Sequence, residues 1–230
     1  MRDNQFEYAS AMERLSYTTE QKAELARRVS QAAGTQRKVH RRIPGRAVLV
    51  AAALTAALGA ALGSMVGALT AGKKNYAPVE EEIKAAMTAL ETLRRQLLDM
   101  VQADAEGFEP LAAAYKLPKD APDRDAVLEA ATLRACQAPV EMMELCCRAM
   151  EQVAVMAEKG SRLAVSDAGC GAALLKAGLD AAALNVYINT GSLKDRAEAD
   201  RLNAACRQMQ QRYGALAEKI YDDVKAALLR

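Results

Sequence analysis

The chain has 230 residues with 31 basic and 29 acidic side chains, five cysteines, one histidine and no tryptophan, which fits one compact domain with an appendage. A formal net charge of +2 and an aromatic content of 4% leave neither a positive excess for a phosphate backbone nor a stacking surface for bases, which argues against nucleic acid as a partner. Alanine makes up about a fifth of the residues and suits closely packed helices, so sheet architectures are disfavoured. The expected fold is all-α, a bundle of long antiparallel helices around an alanine- and glycine-rich buried helix.

Residues 1–33 read as one or two amphipathic helices, with Phe6, Met12, Leu15, Tyr17, Leu25 and Val29 recurring among charges and Thr18-Thr19-Glu20-Gln21 opening Lys22–Ala33. Gly34 to Arg46 is basic and carries the turn signal Pro44-Gly45, so it reads as a linker. The expected organisation is an N-terminal segment over 1–46 and a helical domain over 47–230. Ala47 to Ala71 then holds no charged residue over 25 positions, long enough for a membrane span behind the cluster Arg37, Lys38, Arg41, Arg42 and Arg46. Its small residues (Gly59, Gly63, Gly67 and many alanines) supply little transfer free energy and favour close helix contact, so a buried core helix is the preferred reading and a span the alternative.

Beyond Pro78 the periodicity is helical. Val79–Ala103 places Ile83, Met87, Leu90, Leu93, Leu97 and Met100 at steps of three and four. A separate helix is expected from Glu106 to about Tyr115, closed by Leu117-Pro118 and Asp120-Ala121-Pro122. Asp123–Gln137 and Val140–Lys159 are expected as two helices parted at Pro139, with Gly160 as a stop. Ser166-Asp167 opens a nearly uncharged helix over Ala168–Ala183, and Gly191-Ser192 is expected to cap a last helix over Leu193–Leu229.

Cys136, Cys146, Cys147, Cys170 and Cys206 are odd in number, lack CxxC spacing and lie among alanines and leucines; they read as buried free thiols in a reducing, cytoplasmic compartment. His40 is far from any cysteine and sits between cations, so neither a structural zinc nor a Ser/His or Cys/His relay is expected. No metal is assigned. Catalysis then falls to carboxylates, lysines or amides.

Six ordered blocks carry a resemblance. They are Gly59-Ala60-Ala61-Leu62-Gly63-Ser64-Met65-Val66 with Gly72-Lys73-Lys74-Asn75-Tyr76; Asp104-Ala105 with Phe108; Ala114-Tyr115-Lys116-Leu117-Pro118; Ala138-Pro139; Val165-Ser166-Asp167-Ala168-Gly169; and Asn185-Val186-Tyr187-Ile188-Asn189 with Lys194-Asp195. Together they make residues 51–230 similar to the cyclodeaminase/cyclohydrolase family of folate enzymes. The resemblance implies a dimeric all-helical domain whose substrate is a tetrahydrofolate derivative. The implied reaction is release of ammonia from 5-formiminotetrahydrofolate, or interconversion of 5,10-methenyl- and 10-formyltetrahydrofolate with water. The family's Pro-Gly-Gly-Gly-Ser type loop is not matched; its glycine positions fall on Ala47-Val48-Leu49-Val50. A folate-binding remnant without turnover and a membrane-anchored regulator therefore stand as alternatives.

Opening or closing a methenyl bridge needs a proton donor and acceptor near one carbon. Asp167, at a helix start among small apolar residues, is the first catalytic candidate, and Asp104 the second. Ser166 beside Asp167 is a binding candidate. Lys73 and Lys74 suit the anionic glutamate tail of a folate, and Asn185 and Asn189, four apart, suit the pterin amides. Ser64 reads as a packing residue.

Overall fold

The computed structural model describes residues 45–229. The chain divides into two compact units, 1–43 and 44–230, and the helices expected over 1–33 lie outside the described residues. Six α-helices and two short 3-10 turns make up the described fold: α1 (Gly45–Ala68), α2 (Glu80–Ala114), α3 (Arg124–Ala135), α4 (Gln137–Lys159), α5 (Val165–Thr190) and α6 (Arg196–Leu228). No strand occurs among the described residues. The all-α architecture expected from composition is the one observed.

The core is organised by the contact of α1 with α5. A Cβ on Gly59 would lie 2.8 Å from the Gly171 carbonyl oxygen, and one on Gly171 would lie 2.8 Å from that of Gly59. A Cβ on Gly178 would meet Ala56 at 2.8 Å. Residues 52–59 thus run against 178–171, which makes the pair antiparallel with backbones in direct contact. Side-chain hydrogens at these glycines are all the crossing admits. On its next faces α1 meets α2 and α4 through Gly63, against Leu90 and Val153, and Gly67, against Met87 and Met156. Leu90, Leu97, Met142, Met150, Leu175 and Leu179 fill the interior.

Four boundaries differ from the sequence reading. The two helices expected over 79–103 and 106–115 are one helix, α2. Gln102 donates to Glu106 at 2.8 Å across the expected break, and Pro110 lies within the helix because Leu111 and Ala114 are buried against Ala131 and Ala135 of α3. The packing outweighs one missing backbone bond. The break placed at Pro139 falls at Cys136 instead, and Pro139 occupies the first turn of α4, where a backbone N–H has no helical acceptor anyway. Helix α5 begins at Val165 and continues to Thr190 rather than ending near Ala183. The last helix begins at Arg196, capped by Asp195, whose carboxylate accepts the Glu198 N–H at 3.0 Å, and not by Gly191-Ser192. Glu129 of α3 accepts the Lys194 and Asp195 N–H groups, each at 2.8 Å, and fixes that entry.

The uncharged run is helix α1 up to Ala68, and it turns at Gly72, whose φ of +76° is open to glycine. Val48–Ala68 and Arg162–Thr190 are both long and apolar enough to cross a membrane, and each is 44% buried within the fold. Of the five cysteines, all are free and four are buried; Cys170 is exposed, a correction to the expectation that all five are core thiols.

Candidate functional site

One end of the bundle gathers the end of α1, the loop after it, and the start of α5. Thr70, fully buried, donates its hydroxyl to the Val66 carbonyl at 2.6 Å and accepts the Ser161 N–H at 2.8 Å. The Tyr76 hydroxyl accepts the Arg162 N–H at 3.2 Å. These two contacts lace the loop bearing Lys73 and Lys74 to the turn that leads into α5. Asp167 is the third residue of that helix, in its first turn, and the side chain is half-buried. It is not the helix cap, since Ala164 holds that position without a side-chain bond. Ser166, beside it, is exposed.

The electrostatics of this end single out Asp167. Glu80 is held below its ordinary range by Lys84, which bonds and attracts it, and by the Gly72 N–H. Lys159 is paired with Glu82. Asp167 makes no hydrogen bond or ion pair among the described residues, and burial pushes its carboxyl above the ordinary range. Lys73, Lys74 and Arg162 likewise have no carboxylate partner among the described residues, whereas the neighbouring Lys84 and Lys159 do. This end of the bundle thus carries a half-buried carboxyl whose pKa burial raises, together with cations that have no carboxylate partner among the described residues, features compatible with general acid–base work on an anionic substrate.

The remaining candidates lie elsewhere. Asn185 and Asn189 belong to the last turns of α5, about 27 and 33 Å from Asp167 along the helix at 1.5 Å per residue. Asn185 donates to the Ala181 carbonyl of its own helix at 3.0 Å. Asn189 donates to the Ala135 carbonyl at 3.1 Å and so satisfies the last carbonyl of α3. Asp104 sits on α2, one turn before Phe108, which packs on the cluster shared with α3; it too belongs to that far end. Within one chain the expected residues therefore form two sets: Lys73, Lys74, Ser166 and Asp167 at one end, and Asp104, Asn185 and Asn189 at the other. Ser64 is half-buried on α1.

Thr70, Tyr76 and Arg162 make contacts at this end that no sequence motif announced. Tyr76 lay inside the Gly72–Tyr76 block, which was the available signal; the pairing with Arg162 joins positions 86 apart and has no local signature. Among the described residues no group of three or more His, Cys, Asp or Glu side chains converges as a metal site.

The bundle has a known counterpart. A solved formiminotetrahydrofolate cyclodeaminase from Thermotoga maritima superposes with a TM-score of 0.68 at 24% identity, covering 92% of this chain and 96% of that one. The class is thus an all-helical, cyclodeaminase-like bundle. The formiminotransferase-cyclodeaminase family profile matches residues 50–208, and the chain belongs to that family. A methenyltetrahydrofolate cyclohydrolase of Methylorubrum extorquens is 40% identical over 162 residues, 69% of this chain and 78% of the relative. A formimidoyltransferase-cyclodeaminase of Sus scrofa is 29% identical over 162 residues, but this chain spans only 30% of its length.

Proposed function

We propose that this chain is a folate one-carbon enzyme that acts as a methenyltetrahydrofolate cyclohydrolase. The observation that carries this reading is the 40% identity to the Methylorubrum cyclohydrolase over 78% of that protein. In the forward reaction water adds its oxygen to the methenyl carbon, the bond from that carbon to N5 breaks, N5 takes up a proton and one proton is released. Asp167 is assigned the proton transfers: it receives the proton of the attacking water and passes the hydroxyl proton of the tetrahedral adduct to N5. Its raised pKa supports that assignment, because a carboxyl that retains its proton nearer neutrality serves as both donor and acceptor. Lys73 and Lys74 are assigned to the glutamate carboxylates of the folate, with Ser166 beside the reacting carbon. Asp104, Asn185 and Asn189 have no assigned contact with a substrate bound to the same chain. The free thiols suit a reducing compartment, and the enzyme is assigned to the cytoplasm.

The second reading is cyclodeamination, in which N10 attacks the formimino carbon and ammonia leaves. The Sus scrofa relative and the solved bundle favour it. One experiment separates the readings. The purified full chain is given 5,10-methenyltetrahydrofolate and, separately, 5-formiminotetrahydrofolate, with methenyl absorbance and ammonia followed. Protein-dependent loss of the methenyl absorbance without ammonia chemistry establishes the hydrolase. Ammonia release with gain of that absorbance establishes the deaminase. No acceleration of either over buffer removes the enzymatic reading, and helical turns at Ala47–Val50, where the family has its glycine loop, then become the explanation.

A further inference from the structure

Helix α2 passes through two separate cores. Its buried residues run from Ile83 to Met100, resume at Leu111 and Ala114, and include none of residues 101–110. The second group belongs to a small satellite cluster of one leucine and three alanines, Leu111, Ala114, Ala131 and Ala135, with Phe108 and Leu128 packed on it. The unburied stretch is also where the α2 backbone is weakest. Gly107 brings the low helix propensity of glycine, and Pro110 offers the Glu106 carbonyl no N–H. The two helices expected from the sequence on either side of residues 103–106 thus correspond to two units of stability within one continuous helix.

Helix α3 depends on this cluster and on a polar latch. It is 12 residues long, Asp123 at its start makes no side-chain cap, and only Ala131, Thr132 and Ala135 are buried. A helix of that length is marginal on its own in water, so α3 once detached loses its helical form. It is tied to the bundle at residues 189–195. Glu129 accepts the Lys194 and Asp195 N–H groups at 2.8 Å each, Asp125 pairs with the Lys194 ammonium, and the Asn189 amide donates to the Ala135 carbonyl at 3.1 Å. Asp125, Lys194 and Asp195 are exposed, so water takes over their bonds when α3 lifts. Cys136, where α3 meets α4, is buried.

We propose that residues 107–135 form a strap that detaches and unfolds as one unit while the rest of the bundle stays folded, uncovering the Asn189 amide and the Cys136 thiol. In the closed state the Asn189 amide is held by the Ala135 carbonyl; in the open state it is free to meet a ligand. Small buried area, a weakened stretch of helix and a solvent-facing latch are the marks of a segment that opens below the global unfolding free energy. The strap stands on packing alone, whatever reaction the chain catalyses.

Hydrogen exchange of the full chain, read by mass spectrometry, tests it. Amides over 111–114 and 128–135 are expected to exchange together, at least about tenfold faster than those over 90–97 and 175–179. Glu129→Ala removes the acceptor of two exposed N–H groups and leaves the bundle core untouched. It should speed both strap segments by about tenfold or more, with 90–97 and 175–179 unchanged, and Glu129→Gln, which keeps the shape and an uncharged acceptor, should fall between. In a Cys170→Ser background, N-ethylmaleimide should modify Cys136 faster by the same factor in Glu129→Ala, with Cys146 of α4 unchanged. Strap segments that exchange no faster than the bundle core overturn the proposal. So does a Glu129→Ala variant that speeds every segment, or Cys146 as much as Cys136. Acceleration over 128–135 without 111–114 overturns the single unit.

Discussion

Asp167, the residue proposed for the proton transfers, is also a half-buried carboxyl without a hydrogen-bond partner among the described residues. Burial raises its pKa, so the folded state holds the proton more tightly than the unfolded one, and stability falls as pH rises from the ordinary aspartate range, about 3.9, through the raised folded value. Asp167→Asn removes the charge but keeps the shape. The expected outcome is a turnover loss of about 10²–10⁴-fold with a melting temperature at pH 7 equal to or above the parent's. Melting at pH 3 should show the advantage gone, because there the parent carboxyl is neutral too. A loss of both activity and stability at pH 7 would make Asp167 a structural residue. Cys170 offers a second probe, three residues on and exposed. Burial pushes the thiols of Cys136 and Cys147 up to about 12 and that of Cys206 up to about 11, and Cys146 higher still, so they carry almost no thiolate at neutral pH. A colorimetric disulfide reagent should titrate one thiol rapidly in the native protein and five after denaturation. Two or more rapid thiols would contradict the burial described.

At the scale of the helices, glycine has two meanings. Gly59 stands against the Gly171 carbonyl, and Gly59→Ala should cost about 1–3 kcal/mol by forcing the helices apart. Gly107, within α2 two turns before its end, would place a Cβ at an ordinary 3.7 Å from the Arg134 carbonyl oxygen. Gly107→Ala should therefore stabilise by about 0.4–1 kcal/mol, through helix propensity and a less free unfolded chain. Thermal melts of the two variants should move in opposite directions. The clamp at Thr70 belongs to this scale as well. Thr70→Val leaves the buried Ser161 N–H without its acceptor and should cost about 1–3 kcal/mol, while Thr70→Ser should restore most of it; denaturant midpoints check both.

For the whole molecule, the sequence carried a good deal. The uncharged run over 47–71 announced a helix packed by small residues, and six ordered blocks pointed to the family now established by the profile and the cyclohydrolase relative. It misjudged joints. The merging of α2 across residues 103–106 depends on packing of Leu111 and Ala114 against α3, a contact with no local signature. Pro139 looked like a stop because a proline in the first turn of a helix and one after its end read alike along the chain. Ordered blocks carry no distances, so nothing in the sequence separated Lys73, Lys74 and Asp167 from Asp104, Asn185 and Asn189. Asn189 looked free for a ligand, yet its amide completes α3.

The meeting of Gly59 with Gly171 has a dynamic corollary. At that crossing the backbones touch directly, with Leu175 and Ala56 packed on either side, and close-packed contacts of this kind should make α1 and α5 move as one unit. If a substrate is taken up beside Asp167 as proposed, the expected opening is in the loop that turns at Gly72, beyond the Thr70 clamp, and not in helix sliding. Amide hydrogen exchange should record this as a steep gradient, slowest over residues 56–60 and 172–176 and fastest over 72–76 within a few residues of the same chain.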